Sequence, residues 1–292
     1  MTWKTLWGTP AAILFWFLVQ SIAWGEELSL LRLEIREKGA RWEAGETSMT
    51  RLSPEERQRR LGPMPTVATE GGPRLSMEAV PPEMALLTEA PASLDWRDNG
   101  GNFVTPVRDQ GPCGSCWAFA ATAALESYIL LSNQTPGVDL DLSEQVLLSC
   151  GEVGSCAGGS PAKAAAFLQS TGIPLEGCYP YTAADGSCAS ACPGWQASTY
   201  RVPQWKTLSF DIPTVELLKS GLTHYGPLST TMVVYDDFFS YRSGIYSRVS
   251  GTAAGGHDIL LIGYDDPGQY FIAKNSWGTD WGEAGFFRIA YS

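Results

Sequence analysis

Two cysteines three residues apart, Cys113 and Cys116, lie in the run Gln110-Gly-Pro-Cys-Gly-Ser-Cys-Trp-Ala-Phe119. They are the residues of this chain best suited to covalent chemistry. The stretch that follows, Trp117 to Tyr128, is dense in alanine and free of Pro and Gly, so it reads as a helix with Ser115 as its N-cap. Cys116 then occupies the first turn, where unpaired backbone N–H groups and the positive end of the helix dipole face its sulfur. That position lowers a thiol pKa and favours the nucleophilic thiolate. Three chemistries fit the pair: a nucleophilic Cys116 beside a structural Cys113, a redox dithiol, or a structural disulfide or half a zinc site. Zinc is disfavoured because the chain has only two histidines and no second Cys-x-x-Cys. A redox dithiol would want a βαβ pattern, which the upstream segment lacks.

A thiol nucleophile needs a base, and the two histidines are His224 and His257. His224, in Leu222-Thr-His-Tyr-Gly-Pro227, reads as a helix end before a turn, with a capping or surface role. His257 follows Gly255-Gly256 and precedes the apolar strand Ile259-Leu-Leu-Ile-Gly263, and is the candidate base.

Gln110 to Trp117 resembles the active-site segment of papain-like cysteine peptidases, and the resemblance runs from about Pro91 to the end of the chain. It implies peptide-bond hydrolysis through a thioester on Cys116, with His257 as base and then acid. Asn275, in Lys274-Asn-Ser-Trp-Gly278, would orient the imidazole, and Trp277 would shield that hydrogen bond from water. The Gln110 carboxamide and the Cys116 N–H would stabilise the oxyanion. Substrate binding is implied for Gly158 and Gly159, which pair with an extended peptide, for Pro161, Thr231 and Asp258, which line the main specificity pocket, and for Trp277 beside the groove. Asp258 departs from the family, where Ala is common. A carboxylate there would favour a basic residue two positions before the scissile bond, unless it points into the other lobe or into solvent. No metal or cofactor is implied. Two other readings stay open: a catalytically silent relative that binds peptides, and a thiol–disulfide oxidoreductase using Cys113 and Cys116.

The seven cysteines are an odd number for an exported chain, which leaves one thiol over. The resemblance implies bridges Cys113–Cys156 and Cys150–Cys188, and Cys178–Cys192 is then left. Sequence by itself permits other pairings. Export is expected from residues 1–25, where Lys4, the apolar run Ala11 to Val19 and small Ala23 or Gly25 read as a cleaved signal peptide. The apolar run is short for an uncleaved membrane anchor. The expected location is secreted or periplasmic, or lysosomal or vacuolar in a eukaryote, as a monomer with no membrane contact after cleavage. A net charge of −11 gives no sign of nucleic-acid binding. Asn133-Gln-Thr135 fits an N-glycosylation sequon.

These residues need a scaffold. Residues 26–90 contain no cysteine and read as a propeptide and linker, with a disordered tail as the alternative. Glu27 to about Lys38 is an amphipathic helix with Leu28, Leu31, Leu33 and Ile35 as its apolar residues. Ser53-Pro-Glu-Glu-Arg57 starts a second helix, which Arg60-Leu-Gly-Pro63 ends. Trp42-Glu-Ala-Gly45 and Leu61-Gly62 resemble the short propeptides of cathepsin-B-type relatives, which implies a zymogen whose own propeptide lies across the cleft as an intramolecular inhibitor. Residues 91–292 form the peptidase domain. Helices starting near Cys116, Leu142 and Pro161 fill about 91–205, and strands at Leu228–Val234, Asp258–Tyr264, Tyr270–Lys274 and Gly285–Ile289 fill about 206–292. The expected fold class is α+β, with a helical N-terminal lobe, a β-rich C-terminal lobe and the site in the cleft between them. The chain ends soon after the last strand, so the resemblance implies a more open pocket floor. It also shows no His-containing insertion of the kind that blocks the cleft in cathepsin B, so an endopeptidase is expected, acting on peptides or proteins.

Overall fold

The computed structural model describes residues 25–65 and 90–291. The signal-peptide expectation and most of the linker fall outside those residues.

Residues 25–37 form helix α1. Leu28, Leu31 and Ile35 share one face at helical spacing and pack on the β-lobe core, whereas Leu33 lies on the other side and is exposed. Strand β1 (Arg41–Ala44) follows, and its Trp42 packs against the rings of Tyr241 and Tyr246. Helix α2 (Pro54–Gln58) starts on a full capping box: Ser53 accepts from the Glu56 N–H, and the Glu56 carboxylate accepts from the Ser53 N–H.

The β lobe is one seven-stranded sheet in the order β1-β6-β9-β8-β7-β2, with β5 also on β7. Its strands are β2 (Ser93–Asp95), β5 (Leu228–Tyr235), β6 (Tyr241–Tyr246), β7 (Ala253–Asp265), β8 (Tyr270–Lys274) and β9 (Phe286–Ala290). The long β7 organises the sheet. Its first part pairs with β5, and its last part lies between β8 and β2. Pairing with β8 begins only at Leu260, which leaves one edge of β7 unpaired by β8 around Gly255 to Asp258. Two details differ from the sequence reading. β2 places residues 93–95 in the β lobe, so the chain visits the sheet before it builds the helical lobe. β7 also starts earlier than its apolar run, because Gly255 and Gly256 extend the pairing with β5, and His257 therefore sits inside a strand.

The helical lobe holds α3 (Cys116–Asn133), α4 (Glu144–Cys150) and α5 (Pro161–Ser170), with a small hairpin of β3 (Gly154–Ser155) and β4 (Gly158–Gly159). Helix α6 (Val215–Tyr225) packs on the sheet. Helix α3 is buried on nearly every side because it runs between the lobes, and its alanines allow that close approach. Disulfides join Cys113–Cys156, Cys150–Cys188 and Cys178–Cys192. A buried polar chain also ties the lobes: Lys274 Nζ on β8 donates to Thr105 Oγ1 at 3.0 Å, Thr105 donates to Glu126 on α3, and the Leu142 N–H donates to the same carboxylate at 3.0 Å.

Candidate active site

Cys116 is the remaining free thiol and the first residue of α3. Its neighbours are fixed by close approaches. The Gly114 N–H donates to the Cys156 carbonyl at 2.8 Å beside the Cys113–Cys156 bridge. Gly159 lies on the Trp117 indole, where an added Cβ would stand 2.4 Å from the ring. The expected N-cap is different in kind. Ser115 makes no side-chain bond to the helix; its hydroxyl instead meets the Tyr181 hydroxyl at 2.6 Å.

His257 is fully buried, and its ring lies 4.6 Å from that of Trp277 at 30°. Its Nε2 is 2.7 Å from Asn275 Oδ1. The Ser276 N–H donates to the same Oδ1 at 2.7 Å. An atom that accepts from a backbone N–H is the amide oxygen, so Nε2 carries the ring proton. Nδ1, which has no hydrogen-bond partner among the described residues, keeps the free lone pair. The thiol lies near the backbone of Asp258, the strand residue next to this ring, and near the backbone N–H groups of Trp117 and Gly62.

The thiolate expected at the helix tip is not favoured in this form. Burial, and then the Asp258 carboxylate, push the Cys116 thiol up to about 12, against the pull of those N–H groups. Burial likewise pushes His257 down to about 4. Desolvation outweighs the helix end here because polypeptide covers the site. That cover is the segment after α2. Gly62 pairs antiparallel with Gly256 on the edge of β7 that β8 leaves unpaired, donating at 2.9 Å and accepting at 3.1 Å. Pro63 O then lies so close to Gly256 that an added Cβ there would stand 2.3 Å from it. Arg60 pairs with Asp109 at 2.8 Å.

Gln110 is pinned at almost every polar atom. Its N–H donates to the Ser276 carbonyl at 2.9 Å, its Oε1 accepts from Ser276 Oγ at 2.6 Å, and its Nε2 donates to the Cys113 carbonyl at 2.8 Å. The second Nε2 proton is given to the Arg60 carbonyl at 2.9 Å. A peptide carbonyl thus already rests on the amide that faces the cleft.

Gly158 and Gly159 form β4, with Pro63 against Gly158. Pro161 and Thr231 are exposed. Asp258 is buried beside Thr231, its cross-strand partner, whose hydroxyl donates to its carboxylate; burial raises that carboxyl to about 6. Trp277 does not face the groove. It is wholly buried among His257, Phe238, Phe239 and Trp281, so its place is that of a shield rather than a substrate contact. His224 lies on α6, away from these residues. Asn133 ends α3, before Gln134 in a left-handed conformation. Sequence reading missed Ser276, which holds both catalytic-type amides, and Tyr181. Only the adjacency of Ser276 to Asn275 could have flagged the first, and nothing local flags the second.

A family model described as "Papain family cysteine protease" matches residues 90–292. A cathepsin B-like CP3 of Giardia intestinalis is 36% identical over 72% of this chain and 73% of its own length. A cathepsin L-like proteinase of Fasciola hepatica is 38% identical over 68% of this chain, and the match spans only 60% of that protein. The solved structure of digestive procathepsin L2 proteinase from Tenebrio molitor larval midgut superposes with a TM-score of 0.78 at 29% identity, covering 98% of this chain and 90% of that one.

Proposed function

Because the chain belongs to the papain family of cysteine proteases, and is therefore a cysteine-type peptidase made as a zymogen, we propose that it is an exported endopeptidase in which Cys116, His257, Asn275 and Gln110 carry the reaction. The Cys116 proton passes to His257 Nδ1 as sulfur attacks the peptide carbonyl. The oxyanion takes the Cys116 N–H and the Gln110 Nε2–H now given to Arg60. His257 protonates the leaving amine, and water activated by the same imidazole hydrolyses the thioester. Asn275 holds the ring in the tautomer this requires.

The observation that carries this reading is the Arg60 carbonyl on the Gln110 amide, beside a free thiol and an oriented imidazole. The propeptide spans residues 26 to about 90, and residues 91–292 form the active domain. An endopeptidase is favoured because the chain's two histidines are the base and His224 on α6, so no histidine-bearing loop closes one end of the groove. The expected signal peptide at the N-terminus favours export, and we take the mature enzyme as a monomer. The oxidoreductase reading loses its dithiol, since Cys113 is bridged to Cys156.

Gln110→Ala in the mature enzyme is expected to lower kcat on the order of 10²-fold while KM changes little. An unchanged kcat from steady-state assays would remove Gln110 from the oxyanion site. Labelling of Cys116 by a thiol-reactive peptide epoxide separates a working enzyme from a silent binder.

The Asp258 carboxylate has Thr231 as its hydrogen-bond donor and no cationic partner among the described residues. A basic side chain two positions before the scissile bond would supply one. Substrates with Arg there are expected to exceed those with Phe or Leu by about tenfold in kcat/KM at neutral pH. Asp258→Ala should abolish the preference. A carboxyl raised to about 6 is charged above that pH and takes up its proton below it, so the Arg preference should fade as pH falls through about 6. A preference that survives Asp258→Ala would assign it elsewhere.

A further inference from the structure

We propose that Tyr181 is a positioning residue whose hydroxyl locks the two oxyanion donors into one register, an inference that rests on the reaction just described. The two donors belong to separate stretches of chain. One is the Gln110 carboxamide, on the loop before the nucleophile; the other is the N–H of the Ser115–Cys116 peptide, at the tip of α3. The Tyr181 hydroxyl touches both stretches. It donates to the Gln110 carbonyl at 2.7 Å, and it lies 2.6 Å from Ser115 Oγ. A phenol has one proton to give, so Ser115 Oγ–H is the donor in the second bond.

This bridge accounts for the missing cap on α3. Ser115 adopts φ −95° and ψ 15° instead of the extended conformation of a serine cap, and its hydroxyl is turned from the helix towards Tyr181. The helix gives up a side-chain cap at its first turn, and Ser115 is tied to the Gln110 loop instead. The other pins on Gln110 come from Ser276 and Cys113. Tyr181 supplies the one that also reaches the residue before the nucleophile.

Tyr181 is itself held firmly. Its N–H donates to Glu176 at 2.6 Å, and its ring meets Phe119 edge-on at 4.8 Å and 87°. Burial holds its hydroxyl well above the ordinary phenol range, so it remains a neutral donor. Phe119 lies one turn into α3, so ring and hydroxyl grip the same helix end from two sides. Without the hydroxyl the ring contact survives, but the Gln110 carbonyl and Ser115 are released from each other. Oxyanion donors act by being fixed in advance, so a small drift between them costs turnover without costing substrate affinity.

The test is Tyr181→Phe in the mature enzyme, alone and combined with Gln110→Ala, with Ser115→Ala as an independent cut of the same bridge. Three readouts are taken: kcat and KM, affinity for a peptide aldehyde, whose thiol adduct places an oxygen in the oxyanion site, and alkylation of Cys116 by iodoacetamide, which forms no oxyanion. We expect Tyr181→Phe to lose on the order of tenfold in kcat and in aldehyde affinity, with KM and alkylation rate within about twofold of the parent. Ser115→Ala should follow the same pattern. In the Gln110→Ala background the tyrosine change should cost little more, because the donor it positions is already gone. The proposal is overturned if Tyr181→Phe matches the parent, if its cost is undiminished without Gln110, if alkylation falls in step with kcat, or if the variant fails to fold, which would mark the hydroxyl as structural. A parent enzyme that neither turns over peptide nor binds the aldehyde would refute the underlying reaction instead.

Discussion

Cys116→Ala is expected to abolish peptide hydrolysis, lowering kcat by at least about 10⁴-fold with the fold intact. In the proposed reaction the Cys116 sulfur forms the acyl intermediate. The other six cysteines are bridged, so no neighbouring thiol can substitute. His257→Ala should cost a comparable factor, because a thiol without its base remains protonated. The double variant should be little worse than either single one, since the two groups act as a unit. The measurement is the initial rate on a fluorogenic peptide, with melting temperature as the control for folding. Cys116 lies at the buried end of α3, and replacing SH by H there removes little volume, so the melting temperature should move by only a few degrees. A Cys116→Ala enzyme that still turned over peptide would place the chemistry on another group and end the thioester mechanism.

Several elements are legible in local pattern alone. Strand β8 is readable because Tyr270-Phe-Ile-Ala-Lys274 is short, apolar and rich in strand formers, and α3 because an alanine-rich run without Pro or Gly follows Cys116. What stayed hidden was set by contacts distant in sequence. β6 and β1 are short and mixed in composition, and their pairing depends on Trp42 finding Tyr241 and Tyr246. The Glu126, Thr105 and Lys274 chain joins residues from both lobes, and no spacing announces it. Ser115 has the composition of a cap, but tertiary competition from Tyr181 took its hydroxyl. The thiolate expectation suits an open helix tip; here burial, and then the Asp258 carboxylate, push the thiol up instead. Arg60-Leu-Gly-Pro63 shows a further limit. Gly and Pro mark a helix stop, yet the same residues suit a backbone that must pass within contact of glycine edges, and here they do both.

Removing residues 26 to about 90 is expected to raise peptidase activity by on the order of 10²- to 10³-fold. In the intact chain Gly62 takes the edge of β7, Pro63 lies on Gly158, and Arg60 takes the Gln110 amide. Gly158 and the Gln110 amide are groups the proposed reaction would use, and the strand edge beside His257 is closed to any other chain. A tethered segment works at an effective concentration of about 1 mM, so even micromolar intrinsic affinity keeps about a thousand covered molecules for each open one. The cover should also weaken in acid, and the sign follows from His257. Burial pushes its imidazole down to about 4, below the ordinary 6.5; opening lets water in and moves it back upward, so in that range the covered form holds fewer protons than the opened one. Opening therefore takes up a proton, and the cover loses stability as pH falls from about 6.5 towards 4. Asp258 pulls the other way, its carboxyl raised to about 6, but its partner is Thr231 within the sheet and not the propeptide, so opening changes its surroundings less. Intact and cut enzyme assayed in parallel from pH 4 to 7 would show the difference, and the separated segment added back should inhibit most strongly near neutrality. Equal activity of the intact and cut forms across that range would mean that residues 60–63 rest in the cleft without closing it.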